Sequence, residues 1–327
     1  MPDQGKPHRE VTKIMKRYAA ILFVLCVVSA GLVIAQTKPA TGKESAALQA
    51  DRALGAAYAK GDNAAVNKLL DSDLTWIDTD GIMWERPDVL RANLKPLVAM
   101  TADTKITEHS YADGKVVWIQ DNLGKDFAAH TWVLRPGGYR LLQTNEISTG
   151  QPATPGYRAQ YDIPCDNPCN MVPYKPISKS EQASLDAWQD QEGKNGGGHH
   201  DMHMGKNVVV ISQTTTTPRP SATAPGPTPV NPRQPGTFTG RAAPALWVRS
   251  WDFGDAVVAI MVQPTDGGKA YWSSRVYGNH NGFWVMEESY HNTIKASPVM
   301  VGVPPKEMWP PAPARGGRGA APAEGSN

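Results

Sequence analysis

Ser110-Tyr111-Ala112-Asp113-Gly114-Lys115-Val116-Val117 is answered about 140 residues later by Ser250-Trp251-Asp252-Phe253-Gly254-Asp255-Ala256-Val257. Likewise, Gly137-Gly138-Tyr139-Arg140-Leu141-Leu142 is answered by Asn281-Gly282-Phe283-Trp284-Val285-Met286. In both copies a turn carrying Asp and Gly joins two apolar runs, and a later Gly-aromatic pair opens a last strand, which are hairpin signals. A duplicated meander implies two related domains. Strands are expected at 105–112, 115–122, 126–135 and 139–148, and again at 245–251, 256–263, 270–277 and 283–293.

Working outward, helices precede the first meander. Thr41-Gly42-Lys43-Glu44 reads as a capping box for a helix running to about Lys60, with Ala47, Leu48, Leu54 and Tyr58 as its apolar stripe and Gly61 at its end. Asp62 is placed to cap a short second helix. Leu74–Thr79 alternates as a strand that puts Leu74, Trp76 and Asp78 on one face, Asp80-Gly81 is a turn, and 82–85 is a partner strand. Pro87 suits the first turn of a third helix with Leu90, Leu94, Leu97 and Val98 on its inner face. Helices, strand pair, helix and antiparallel meander spell an α+β class, with a curved sheet covered on one side by helices.

The expected domains are 41–149 and a degenerate copy at 178–296, each with its own cone, joined by a Pro-rich linker at 150–177. Ser178-Lys179-Ser180-Glu181 repeats a capping box and opens the second domain's helix. Residues 193–243 read as a low-complexity insertion, Gly/His/Met-rich at 193–205 and Thr/Pro-rich at 214–241, with 207–213 between them expected as the second domain's first strand, and 304–327 reads as a disordered tail.

Lys13, Lys16 and Arg17 precede the apolar run 19–35, which ends in small residues. That pattern describes an export signal cleaved after Ala35, giving a periplasmic or secreted protein. Left uncleaved, 19–35 would anchor the chain in an inner membrane, and this is the membrane contact the sequence offers. Met15 is a second candidate start. In an oxidising compartment, Cys165 and Cys169 are expected to close one small disulfide loop. With 33 Lys+Arg against 31 Asp+Glu, the net charge of +2 offers no basic field for nucleic acid. No Ser-His-Asp order or phosphate-cradling Gly loop is present, and no cofactor is expected.

Tyr58 to Val66, Leu69 to Gly81 and Gly138-Tyr139-Arg140-Leu141-Leu142 together resemble the nuclear transport factor 2-like, or SnoaL-like, superfamily, which includes ketosteroid isomerase and polyketide cyclases. The resemblance covers Glu44–Ser148 well and Ser178–Thr293 loosely. It implies a conical pocket suited to a small apolar or aromatic ligand, and it allows homodimers through exposed sheet faces. Asp78 falls where ketosteroid-isomerase-like members keep a proton-abstracting carboxylate, though their oxyanion-binding tyrosine falls near Leu54, which has no donor. The alternative reading of Asp78 is a turn residue before Gly81.

A carboxylate with a histidine in one pocket would do proton-transfer work of the isomerase, cyclase or dehydratase kind, and His130 and His109 are the candidates to join Asp78. Alternation puts His130 with Trp132 on one face, and Tyr139, Leu141, Gln143 and Asn145 on one face of the last strand. Tyr58, Trp76, Trp84, Trp118, Trp132, Gln143 and Asn145 are therefore the expected ligand-contacting residues. The rival is a binding or interaction module whose two sheets dock each other or a second chain. A weaker third reading takes His199, His200 and His203, beside Met202 and Met204, as soft metal ligands. Against it stands a plain solvated loop.

Overall fold

Ser45 opens the first helix, α1 (Ala46–Lys60), by accepting a hydrogen bond from the Leu48 N–H at 3.0 Å, and Gly61 closes it in the left-handed conformation at φ 67°. The cap is thus Ser45, not Thr41. The structure, a computed structural model, describes residues 44–150, 176–192, 202–213, 247–264 and 270–294. The export segment, Cys165, Cys169, His199, His200, much of the insertion and the tail lie outside the described residues. No helix among the described residues is long and apolar enough to cross a membrane.

Asp62 caps α2 (Asn63–Leu69) through the Ala65 N–H. The chain then forms β1 (Leu70–Ile77), β2 (Met83–Glu85) and α3 (Arg86–Ala92), which carries Pro87 in its first turn. Asn93, at φ 50°, ends α3 earlier than the apolar pattern suggests, so Leu94, Leu97 and Val98 lie beyond the helix. The meander follows the expected bounds: β3 (Lys105–Tyr111), β4 (Val116–Leu123), β5 (Asp126–Arg135) and β6 (Gly138–Ser148). After the linker come α4 (Lys179–Glu192), β7 (Met204–Ser212), β8 (Trp247–Asp252), β9 (Ala256–Pro264), β10 (Ala270–His280) and β11 (Phe283–Thr293).

The sheet orders are β2-β1-β6-β5-β4-β3 and β7-β11-β10-β9-β8. Setting β2 aside, they are the same order, and in each the first strand runs parallel to the last. The architecture is α+β with two mixed sheets. Each sheet also breaks register in its antiparallel meander, at Thr131/Trp132 in the first and Val276/Tyr277 in the second, and again where its parallel strand joins, at Leu70/Thr75 and Met286/Glu288. Such bulges bend a strand and sharpen its twist, which curves each sheet around its helices.

The concave face of the first sheet meets α1 to α3 around Leu54, Val66, Leu74, Trp76, Trp132 and Leu141. That of the second meets α4 around Trp188, Met261, Tyr277 and Met286. The two outer faces bury one another inside a single chain: Val116, Trp118, Val133 and Leu142 pack with Val209, Val258, Val276 and Tyr290. The sheet faces expected to serve a homodimer are therefore occupied intramolecularly, and a second copy would have to use another surface.

Polar groups cross this seam in matched pairs. Tyr290 OH donates to Gln120 Oε1 at 2.9 Å, and the Trp272 indole donates to the Gly81 carbonyl at 2.9 Å. At its centre Glu288 accepts hydrogen bonds from His109 and Tyr111. Burial pushes Glu288 up to about 7, even though those two hydrogen bonds favour its charged form. Its hydrogen bond to Glu288 raises His109 against the opposing effect of burial.

Both folded-state values are raised, so both groups hold protons more tightly when the sheets are docked. The contribution of Glu288 is full below the ordinary carboxylate range and is lost as pH climbs through about 7, while that of His109 is full below the ordinary imidazole range and is lost above it. Unfolding free energy is expected to fall by on the order of 1–3 kcal/mol between pH 5 and 8. Denaturant titrations across that range test this, with Glu288→Gln expected to flatten the slope. An equal slope in the variant would remove Glu288 from the account.

Candidate functional site

The floor of the first cone is built by one residue from each of three elements. Asp51 sits on α1 in phase with Ala47, Leu54 and Tyr58, so the helix turns its carboxylate toward the sheet. Asp121 follows Val117 and Ile119 on the concave face of β4, and His130 precedes Trp132 on that of β5. Asp51 Oδ1 accepts from His130 Nδ1 at 2.7 Å and from Trp132 Nε1 at 2.9 Å. Asp121 Oδ2 lies 3.6 Å from His130 Nδ1. Asp51 and Asp121 are each 2% exposed and His130 4%.

Their charges are mutually dependent. Burial disfavours charge on His130, but Asp51, with help from Asp121 and Glu146, more than offsets this and raises His130 to about 9. Burial, with Asp51 beside it, pushes Asp121 up to about 7. Glu146, on the same face, is raised to about 7 by burial, against hydrogen bonds from the Leu97 N–H and Trp76. Tyr58 meets Trp76 edge-on, with ring centroids 6.3 Å apart, and burial raises its hydroxyl, with Glu146 adding to the effect.

Two buried oxygens here have no hydrogen-bond partner among the described residues, Thr144 Oγ1 and Tyr58 OH, while the Asp121 and Asp51 carboxyls lie within hydrogen-bonding reach of one another. The segment after α3 closes the cone over them. The Leu97 N–H donates to Glu146 Oε1 at 2.6 Å, Val98 is buried, and Met100 lies against Gly55 of α1.

Of the residues expected from sequence, His130, Trp132, Trp76 and Tyr58 are brought together. Asp78 is not part of the floor. Its Oδ1 accepts from the Asp80 and Ile82 N–H groups, both at 2.9 Å, and its Oδ2 accepts from the Trp84 indole at 2.8 Å. That is the turn role, and it also places Trp84 at the edge of the cone. His109 and Trp118 stack on each other in the seam, facing the second sheet rather than the pocket.

Gln143 and Asn145 also face away. The bulge at Leu142 advances the strand by one residue, so the concave side passes from Leu141 to Thr144 and Glu146. Gln143 and Asn145 then meet Ser274 across the seam, at 3.2 and 2.7 Å. His203 engages both ring nitrogens, one with the Trp284 carbonyl at 2.7 Å and the other with Asp190 at 2.9 Å. The second cone keeps a narrow cleft beneath α4 lined by Ser184, Leu185, Trp188, Val248 and Met261.

Sequence reasoning missed Asp51, Asp121, Thr144 and Glu146. A signal existed for two of them. Asp51 interrupts an apolar helical stripe, and Asp121 continues the inward alternation of Val117 and Ile119.

No protein-family model matches the chain, and no curated protein matches it. Among solved structures, it is similar to a nuclear transport factor 2-like protein from Cytophaga hutchinsonii, at 16% identity over 31% of this chain and 94% of that one, with a TM-score of 0.26. It is similar to another, described as of unknown function in nutrient uptake, from Rhodospirillum rubrum, at 19% identity over 32% of this chain and 98% of that one, TM-score 0.25. A third, from Bacteroides fragilis, spans 75% of this chain and 96% of its own length at 9% identity, TM-score 0.21. The chain is thus similar in fold to nuclear transport factor 2-like proteins, and the likeness carries no statement about function.

Proposed function

We propose that the first cone holds the ligand site of an exported binding protein. A small, partly apolar or aromatic molecule enters it with a polar group directed at Asp51, His130 and Asp121. The observation that supports this reading is the meeting of three buried ionisable groups from three separate elements beneath an aromatic wall. Orphaned oxygens lie beside them, in a shell otherwise packed with apolar side chains. Buried polar groups without partners are costly, and a ligand that satisfies them recovers that cost. Entry requires the 93–104 segment to lift from Glu146. Proton transfer of the isomerase, cyclase or dehydratase kind would further require a substrate atom held in reacting geometry at His130, so binding is the function proposed.

A second reading has its own support. The apolar outer faces of the two sheets cover each other, so the second sheet can act as a built-in docking partner that keeps the first one folded. A ligand-observed screen of aromatic, steroid-like and polyketide-like compounds separates the readings. Wild type, Asp51→Asn and Asp78→Asn are compared. Binding is expected in the wild type, weakened at least about tenfold in Asp51→Asn, the scale of one lost charge-assisted hydrogen bond. It is expected unchanged in Asp78→Asn, which should lose only about 1–2 kcal/mol of stability through its turn. No binding to any of the three would leave the docking reading.

A further inference from the structure

We propose that Asp51, Asp121 and His130, with Thr144 beside them, form a binding site for one divalent transition-metal cation. The inference rests on the first cone being the ligand site and names its innermost ligand. One donor atom from each of the three residues can be chosen so that all three lie within 4.8 Å of one another. A first-row ion bonds carboxylate oxygen and imidazole nitrogen at about 2.0–2.2 Å, so its ligand atoms stand about 3–4 Å apart. His130 Nδ1 already lies 2.7 Å from Asp51 Oδ1 and 3.6 Å from Asp121 Oδ2, which brackets that spacing.

The second observation is independent of the acids. Thr144 is directly opposite His130 in the β5–β6 register and so shares its face, and its hydroxyl is fully buried without a partner among the described residues. A neutral oxygen held there is a fourth donor, not a member of an acidic cluster. Asp51 and Asp121 lie within hydrogen-bonding reach of one another, so their oxygens converge on one point beside His130.

Charge and rigidity point the same way. Two carboxylates and one imidazole share a dry floor, each side chain nine-tenths or more buried. The Trp132 indole fixes the Asp51 carboxylate from outside the donor set, as supporting hydrogen bonds do at metal sites. Two carboxylate oxygens with one imidazole suit Zn²⁺, Mn²⁺ or Fe²⁺. Ca²⁺ would want six to eight oxygens, which this set does not offer. An ion also needs less space than an organic group in a cone this closely filled.

The test is metal uptake by the full chain after stripping with chelator, followed by titration with Zn²⁺ and with Mn²⁺. Stoichiometry is read by elemental analysis and affinity by chelator competition. The variant His199→Ala with His200→Ala provides the background, because those histidines also have metal-binding chemistry. One equivalent is expected in both wild type and this variant, with a melting temperature that rises by a few degrees at saturating ion. Asp121→Asn and His130→Gln are expected to weaken affinity about 100-fold or more, and Thr144→Val about tenfold.

Absence of uptake by the wild type overturns the proposal, as does uptake that vanishes with His199 and His200 but survives Asp121→Asn. Should Asp121→Asn fail to fold, the wild-type stoichiometry and Thr144→Val decide, since an isosteric loss of one hydroxyl is mild. Repeating the organic screen in chelator keeps the two readings apart. Compounds that bind there, by a protein that takes up no ion, leave the ligand site standing and the metal proposal refuted.

Discussion

Trp272→Ala is expected to lower unfolding free energy by about 4 kcal/mol or more, with both sheets lost in one transition. The side chain is fully buried, it packs with Ile77, Trp247, Ile260 and Val262, and its indole donates to the Gly81 carbonyl of the first domain. Truncating a buried Trp to Ala costs about 3–5 kcal/mol, and orphaning the buried carbonyl adds about 1–3 kcal/mol. Trp272→Phe keeps most of the contact and should lose only the hydrogen-bond share.

The same contact can be attacked from the other side. Gly81 adopts φ +71°, and a Cβ there would stand 2.4 Å from the Thr293 carbonyl oxygen. Gly81→Ala must therefore push the two domains apart. Because both substitutions damage one contact, the double variant is expected to fall short of the sum of the singles. Urea titrations of the three variants measure this, and strict additivity would mean that Gly81 and Trp272 stabilise separate things.

Asp51→Ala is expected to cost about 3–5 kcal/mol, the range for removing one partner of a buried charge pair. The change leaves His130 Nδ1 and Trp132 Nε1 without their acceptor inside an apolar shell. Asp51→Asn keeps an acceptor oxygen at the same place and should cost roughly half as much. Chemical denaturation gives both values. If Asp51→Ala were as stable as wild type, the carboxylate would not be holding the floor together, and water would have to reach the two donors instead.

How far the sequence was legible can be seen residue by residue. The Asp-Gly and Gly-aromatic signals located the meander strands of both domains to within a few residues, and Gly61, Asp62, Pro87 and Ser178 stand at helix ends as their chemistry dictates. Asp80-Gly81 was legible as a turn. Its second task, seating the Trp272 indole 191 residues away, was not. Gln143 and Asn145 were misplaced because strict alternation was carried through a bulge, and one extra residue reverses every side chain beyond it. His130 and Trp132 kept their expected face because they lie on the unbulged strand of the pair. Asp51 was visible as an acid in an apolar stripe, yet nothing local says which histidine it meets.

Sequence by itself determined the elements, their order, the repetition of one α+β plan and the composition of each face near its strand ends. These depend on interactions a few residues long: caps, turns and side-chain periodicity. Tertiary structure alone decided that Asp51 finds His130 across 79 residues, that His109 finds Glu288 across 179, and that the outer sheet faces cover each other. Those outcomes depend on where curvature and bulges place each side chain in space. Local pattern cannot encode that, because helix and strand periodicity set the face a side chain occupies but not which distant residue that face meets.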